Sequence, residues 1–369
     1  MKLDIRQVAT SLAAPTGAVL FAFAVTSLLL LATGTSPFDA FGQMIDYAGQ
    51  PRTQVLIINA AVVYYLSAIA VAIGFRMNLF NIGVEGQYRM AAIIAAAFAG
   101  HVSLPPVIGH LATIGVAMLV GAMWAGIAGL LRAYRGVSEV ISTIMLNFIA
   151  TAVIAFLLVP GRLAAPLEEG SNLVRTPPIS PNAQFGGLPL IPGAGIDVSS
   201  FVLIAAVVGF LYWFVLSRTR FGFDLRATGM SESAAVSSGV NVRRMIVIAM
   251  LVSGACAGLV GLPILMGETY TYSLEFPAGF GFTGIAIALL GRNNAIGIAL
   301  GALLWAFLDQ SANILSLAGI SPEIVKIMQG VVVLSVVIAY ELQRRWKARQ
   351  VAADVAARLR SAEGQEVAV

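Results

Sequence analysis

About ten stretches of this chain are apolar over a length that can cross a bilayer: residues 13–33, 55–75, 81–102, 106–131, 139–160, 199–217, 244–266, 278–291, 295–316 and 323–341. A helical span needs about 20 mainly apolar residues, and in lipid each backbone polar group must be satisfied internally. The chain is therefore expected to be all-α, a polytopic membrane helix bundle. Its composition agrees: 59% of the 369 residues are hydrophobic and 11% are charged, against about 25% charged in soluble domains. The segment 278–291 is short and Gly-rich, so a broken or re-entrant helix stays open there. Lys2 and Arg6 precede the first apolar run in the manner of a signal peptide. That run is long and no A-x-A site follows it, which favours an uncleaved first helix.

Charge fixes the expected orientation. With ten spans and both termini cytoplasmic, the inner segments hold Lys2, Arg6, Arg76, Arg132, Arg135, Arg218, Arg220, Arg226, Arg243, Arg244, Arg292 and the basic residues after Glu341. Only Arg52, Arg162 and Arg175 fall outside, while Arg89 and Lys326 lie inside spans. This asymmetry is the positive-inside pattern, and it accounts for the net charge of +4 without nucleic acid as a partner. The transmembrane domain covers 1–341, with an inner loop at 218–243 and an outer loop at 161–198. The segment 342–369 reads as a cytoplasmic tail, interfacial around Trp346 and disordered at its end. The outer loop contains Pro166, Pro177, Pro178, Pro181, Pro189 and Pro192, which excludes a long helix or central strand. It would cover an outer vestibule, dock a partner, or simply connect two spans.

Ionisable and amide side chains at membrane depth are costly and hence functional candidates. Asn81-Ile82-Gly83-Val84-Glu85-Gly86-Gln87 forms a polar break between the second and third spans, the kind of interruption at which transporter sites are built. A cytoplasmic hairpin leading into a polar first helical turn explains it equally well. Glu85 and Arg89 are four apart on one helical face, so mutual neutralisation is expected. Asn147 in the fifth span is expected to hydrogen-bond a neighbouring helix or to line a pathway. Asp309 and Lys326 would both lie roughly 8–9 Å below the outer boundary, which suggests an intramembrane ion pair. Cys256 sits between Gly254 and Gly258, a small-xxx-small pattern for close helix packing. His101 and His110 are too isolated for a metal site. There is no phosphate-binding G-x-x-x-x-G-K-[ST] loop and no catalytic constellation, so an enzyme acting alone is not expected.

Three motifs carry a resemblance: Asn81 to Gln87, Ser138-Glu139-Val140-Ile141-Ser142-Thr143-Ile144-Met145-Leu146-Asn147, and Gly284-Ile285-Ala286-Ile287-Ala288-Leu289-Leu290-Gly291-Arg292-Asn293-Asn294. Over residues 55–340 the chain resembles the nucleoside and simple-sugar permease subunits of bacterial ABC importers. These belong to the ribose and branched-chain amino acid permease family, in the branch that uses receptors of the basic-membrane-protein type. The inner loop resembles the family's coupling segment, roughly L-R-A-x-G-x-N-x-x-A-A-x-x-x-G. Leu225-Arg226-Ala227, Gly229, Ala234-Ala235 and Gly239 match, and Ser231 replaces the usual Asn. Ser is an equally good N-cap, so a short helix from about Ser231 to Ser238, ending at Gly239, is expected.

The resemblance implies a subunit of the bacterial inner membrane with no cofactor of its own. ATP and Mg would sit on a separate ATPase subunit, a periplasmic or lipoprotein receptor would deliver substrate, and a shorter permease paralogue would complete a heterodimer. Arg226, Ala227, Gly229, Ser231, Glu232, Ala234, Ala235 and Gly239 would couple to the ATPase, and Asn81, Glu85, Gln87 and Asn147 would line the substrate pathway. Within that architecture, simple sugars or a ribityl vitamin rival nucleosides as substrates. An ion-coupled carrier using Glu85 or Asp309, and a scaffold or channel subunit, are the alternatives of other classes.

Overall fold

A computed structural model describes residues 20–32, 34–166 and 173–366. The helices are α1 (Leu20–Ala32), α2 (Pro37–Gly49), α3 (Pro51–Phe75), α4 (Val84–His101), α5 (Pro106–Arg135), α6 (Glu139–Leu157), α7 (Phe201–Arg218), α8 (Arg220–Met230), α9 (Glu232–Ser237), α10 (Val242–Gly258), α11 (Leu262–Ile264), α12 (Phe280–Leu290), α13 (Ala295–Leu317) and α14 (Pro322–Glu366). They fall into two compact units, Asp46–Gln310 and the described parts of Met1–Ile45 with Ser311–Val369. The smaller unit holds α1, most of α2, the end of α13 and α14, with the Phe23 and Phe41 rings stacked at 4.7 Å.

Seven helices among the described residues are long and apolar enough to cross a membrane, against the ten spans expected from sequence. The first expected span begins outside the described residues, and its described part is α1. The third is α4, whose 18 residues include Glu85 and Arg89 and are almost wholly buried by protein. The eighth is α12, whose 11 residues reach only about 16 Å at 1.5 Å per residue. Helix α2 has no counterpart in the sequence reading because its polar residues hide it from a hydropathy scan. Its start was nonetheless legible: Ser36 accepts from the backbone N–H of Asp39 at 3.4 Å, with Pro37 at the first helical position.

In the larger unit, α3, α4 and α10 form the centre, α5 packs on α4 and α10, and α12 packs on α3 and α4. The outward faces of α6 and α7 carry exposed Ile141, Phe148, Leu203 and Phe210, as a lipid- or subunit-facing surface requires. The α5–α10 contact uses the small-residue pattern anticipated around Cys256. A Cβ on Gly121 would collide with the Gly254 carbonyl, and one on Gly258 with the Ala117 carbonyl. The two backbones touch directly there, as in other glycine-packed membrane helices. Helix α5 stops at Gly136, which is left-handed at φ 67° and returns its N–H to Arg132 O, a conformation that favours glycine.

The connection between α6 and α7 is not a simple linker. It holds a 3₁₀ turn at Pro181–Ala183 and a two-residue antiparallel ribbon pairing Gly187–Leu188 with Val198–Ser199. Its backbone N–H groups at Thr176, Ile179 and Phe185 donate to Tyr272 O, Tyr270 O and Met266 O, each at 2.8 Å. The strap is thus stitched to the π-turn Leu265–Thr269 and the chain just beyond it. His101 and His110 bond the carbonyls of Ala97 and Gln184, each at 2.8 Å.

The direct backbone contact generates a prediction. Gly121→Leu should lower the melting temperature of the purified protein by several degrees, since overpacking typically costs about 1–3 kcal/mol. Gly115→Leu, on the same helix with open space around its Cα, should melt like the wild type.

Candidate functional site: the helix break and the inner face

Helix α3 ends at Phe75 and the chain turns through residues 76–83 before α4 begins. Asn78 takes the left-handed conformation at φ 59°, which Asn tolerates better than most residues. Four side chains selected from sequence converge on this break. Asn81 and Gln87 form a reciprocal amide pair, Nδ2 to Oε1 at 3.0 Å and Nε2 to Oδ1 at 2.8 Å. Asn81 Oδ1 also accepts from Gly83 N, and its Nδ2 donates to Ser253 Oγ on α10 at 2.8 Å. Ser253 passes its own proton to Ala70 O on α3 at 2.6 Å. From α6, Asn147 accepts from Gly86 N at 2.9 Å and donates to Ile82 O at 3.0 Å. The break is thus held partly by its own backbone turns, with Met77 N and Leu79 N both donating to Gly74 O, and partly by these side chains, as burial demands.

Glu85 does not neutralise Arg89; among the described residues the two form no ion pair. Its carboxylate instead accepts from the backbone N–H groups of Gly279 and Gly281 at 2.9 and 3.0 Å and from Tyr88 Oη at 3.0 Å. Those amides open α12, so a negative charge lies where the helix dipole is positive. A Cβ on Gly281 would strike the Glu85 backbone, and one on Gly284 would strike Ser67. Glycine at both positions lets α12 approach α4 and α3 this closely. Arg89 turns to Thr151 at 3.3 Å.

The far end of α12 is held by Arg76. Its Nε and Nη2 donate to Asn293 O at 3.0 and 2.6 Å, and Tyr212 Oη donates to the same oxygen at 2.7 Å. Arg292 and Asn293 are both left-handed, at φ 54° and 53°. Asn294 Oδ1 accepts from the backbone N–H groups of Ile296 and Gly297 at the start of α13.

Helices α8 and α9 follow α7, and α8 packs against α7 and α10. Ser231 separates α8 from α9 in an extended conformation and caps α9, accepting from Ala234 N at 3.3 Å. Gly239 follows in the left-handed region at φ 84°. Ala235 faces inward and is buried, while Glu232, Ala234 and Val236 face out. Arg226 lines a pocket beside Arg76 and Ala227 is half-buried, so neither projects with the outward face of α9.

Two contacts join these helices to the break. Gly229 lies against the Arg76 carbonyl and Met77, too close for a side chain. Arg132, at the end of α5, reaches Glu232 at 3.7 Å and Glu139 at 3.4 Å, and Glu139 accepts from Phe80 N at 3.4 Å. The chain of contacts therefore runs from α9 through Arg132 and Glu139 into the break itself. A cavity of about 510 Å³ beside it is lined by Arg132, Glu232, Val236 and Arg243.

Residues 54–337 match the family described as the permease component of branched-chain amino acid transport systems. The chain belongs to this permease family. All the candidate residues fall within the matched segment. The chain is 34% identical to the guanosine ABC transporter permease NupP of Bacillus subtilis, over 89% of this chain and 94% of that one. It is 32% identical to the glucose ABC transporter permease TsgB13 of Haloferax volcanii (89% and 88% covered). It is 29% identical to the nucleoside ABC transporter permease NupB of Lactococcus lactis (89% and 91% covered).

Among the expected site residues of this permease, the break brings Asn81, Glu85, Gln87 and Asn147 into one region. Asp309 is elsewhere, accepting from Tyr64 Oη at 2.9 Å, and Lys326 belongs to the smaller unit. Sequence reasoning passed over Ser253, Tyr88, Arg132 and Glu139. For Arg132 and Glu139 a signal was present, opposite charges on either side of the Gly136 helix stop. For Ser253 there was none, a hydroxyl in an apolar helix being common.

Glu85→Ala should destabilise the purified permease by about 1–3 kcal/mol, because the Gly279 and Gly281 amides lose their acceptor. Glu85→Gln keeps one acceptor oxygen and should melt between the two.

Proposed function

We propose that this permease is the membrane subunit of an importer for nucleosides or related ribosides, driven by a separate ATP-hydrolysing chain. The observation that carries the proposal is the capped helix α9, which presents Ala234 and Val236 to solvent and is tied to the helix break through Arg132, with the preceding α8 touching the break at Gly229. A nucleotide-binding subunit docking on α9 would shift α8 and α9 as one body. Gly229 and Arg132 would carry that displacement to residues 76–83, where Asn81, Gln87, Asn147 and Ser253 hold three helices together. Rebuilding those bonds would switch the break between outward and inward states, a rigid-element change biased by ligand.

In this reading ten spans cross the bacterial inner membrane, with both termini in the cytoplasm, α4 buried by its neighbours and α12 the short eighth crossing. The exposed faces of α6 and α7 suit a second permease subunit as well as lipid. A receptor outside supplies specificity, because a pathway must bind weakly enough to release. ATP and Mg act on the partner. Asn81, Glu85, Gln87 and Asn147 border the pathway as the groups whose hydrogen bonds are exchanged during transport.

The nucleoside assignment rests on the motif resemblance and on the guanosine and nucleoside permeases among its relatives. The glucose permease relative supports a simple sugar as the second reading.

Uptake of labelled guanosine, adenosine, ribose and glucose by cells with and without the chain tests this directly. Ala234→Arg and Val236→Arg should each reduce nucleoside uptake at least tenfold while the protein still reaches the membrane, and collapsing the proton gradient should leave wild-type uptake intact. Uptake that survives both substitutions and falls with the gradient would replace the ATP-driven reading with an ion-coupled one. If sugar alone moves, the architecture stands and the nucleoside does not.

Arg132→Gln should lower uptake several-fold with little change in melting temperature, since partly exposed ion pairs contribute only about 0–1 kcal/mol. An equal loss of stability would mean that Arg132 supports the fold and transmits nothing.

A further inference from the structure

We propose that the permease holds the phosphate headgroup of an anionic membrane lipid in the pocket between the end of α7, α8 and the α12–α13 turn. The pocket has a volume of about 310 Å³ and is lined by Arg76, Arg226, Tyr212, Trp213, Ser217 and Asn294. Its chemistry is that of an anion receptor. Arg76 spends Nε and one Nη2 hydrogen on Asn293 O, which fixes the guanidinium at the pocket wall. Arg226 is half-buried and takes part in no described hydrogen bond or ion pair, so its whole guanidinium fork is available. The Asn294 amide is oriented by the cap it forms on α13, where Oδ1 accepts from Ile296 N and Gly297 N, and this turns the NH₂ group away as a donor. Two guanidinium groups and an amide donor, with no carboxylate on the pocket wall, match a phosphate, which arginine binds through paired N–H groups.

The surface leading into the pocket selects the source of that phosphate. Phe210, Trp213, Phe214 and Ser217 follow one another at helical spacing along a single face of α7. Their three aromatic side chains are 57%, 44% and 43% exposed, with Phe210 5.8 Å from Trp213 and 6.0 Å from Phe214 between ring centroids. This apolar track ends at the basic pocket, as a track for an acyl chain beneath a headgroup would. Arg218 lies over the Trp213 ring at 5.8 Å, and a Trp beside arginines is the arrangement found at the membrane interface. Basic pockets between helices on the cytoplasmic side are where anionic headgroups bind. A free phosphate would need the two arginines but not the aromatic face.

Native mass spectrometry of the full-length chain in neutral detergent tests the assignment, titrating phosphatidylglycerol against phosphatidylcholine. Phosphatidylglycerol should be retained at least fivefold better. Arg226→Gln should bring its retention down to that of phosphatidylcholine, and Arg226→Lys should restore part of it. Asn294→Asp keeps the cap on α13, since Asp caps as well as Asn, but replaces the donor with a negative charge; it should abolish the preference without unfolding the chain. Arg244→Gln, an exposed arginine outside the pocket, should change nothing. Equal retention of the two lipids, or a preference that survives both pocket variants, overturns the proposal. So does displacement of phosphatidylglycerol by millimolar inorganic phosphate, which would make the pocket a site for a soluble anion. The choice of inner leaflet rests on the orientation proposed above, and labelling Ser217→Cys from either side of sealed vesicles tests that separately. Labelling from outside alone would overturn the orientation and the leaflet, whatever the lipid titration shows.

Discussion

A backbone that stops being helical inside a packed helix bundle must find a partner for each N–H and C=O it buries, because an unpaired buried polar group is costly. The permease meets that constraint at the turn between α3 and α4, and much of its architecture follows. Asn81, Gln87, Asn147 and Ser253 are drawn from the turn itself, α4, α6 and α10. Each side chain that satisfies the turn therefore also binds a separate helix to it. Glu85 repeats the solution from the other direction, supplying its carboxylate to the open end of α12. A break that would otherwise be a liability becomes the point at which the helices of the larger unit are fastened together.

Fastening of this kind gives a conformational change somewhere to act. Hydrogen bonds between amides can exchange partners at small net cost, since each bond contributes only about 0.5–1.5 kcal/mol. Glycine-packed backbones such as α5 on α10 cannot move apart without opening a void. The molecule thus contains both a rigid seam, along Gly121, Gly254 and Gly258, and an exchangeable polar joint beside it. Helix α9 connects to the joint through Arg132 and Glu139, and α8 meets the joint's backbone at Gly229.

Much of this was legible in the sequence. The spans of α3, α5, α6, α7, α10, α13 and α14 stood out because length and apolarity are properties of a single segment. The polar break was visible as amides and a carboxylate interrupting an apolar pattern, and Ser231 and Gly239 marked the ends of α9. What the sequence concealed depended on pairing. Glu85 and Arg89 have the spacing of an ion pair, yet the amides at the start of α12, almost two hundred residues away, compete better for the carboxylate. Asn147 carried two readings, and the structure shows it bonding the backbone of the break, an outcome no local pattern encodes. Ala235 matched the coupling pattern as well as Ala234 did, but only the fold shows that one faces inward and the other out. The strap after α6 carried three readings, a cover, a docking surface or a connector, because prolines report what a segment cannot form, not what it lies against.

That strap is attached through its main chain, at Thr176, Ile179 and Phe185, to the carbonyls of Met266, Tyr270 and Tyr272. Main-chain bonds are indifferent to side-chain identity, apart from the exclusion of proline at the donor positions. The exposed side chains of the strap can accordingly change over evolutionary time while its main-chain anchorage stays constant. A permease built in this way can vary the face that the strap presents by drift in those side chains alone, with the packed helices beneath left untouched.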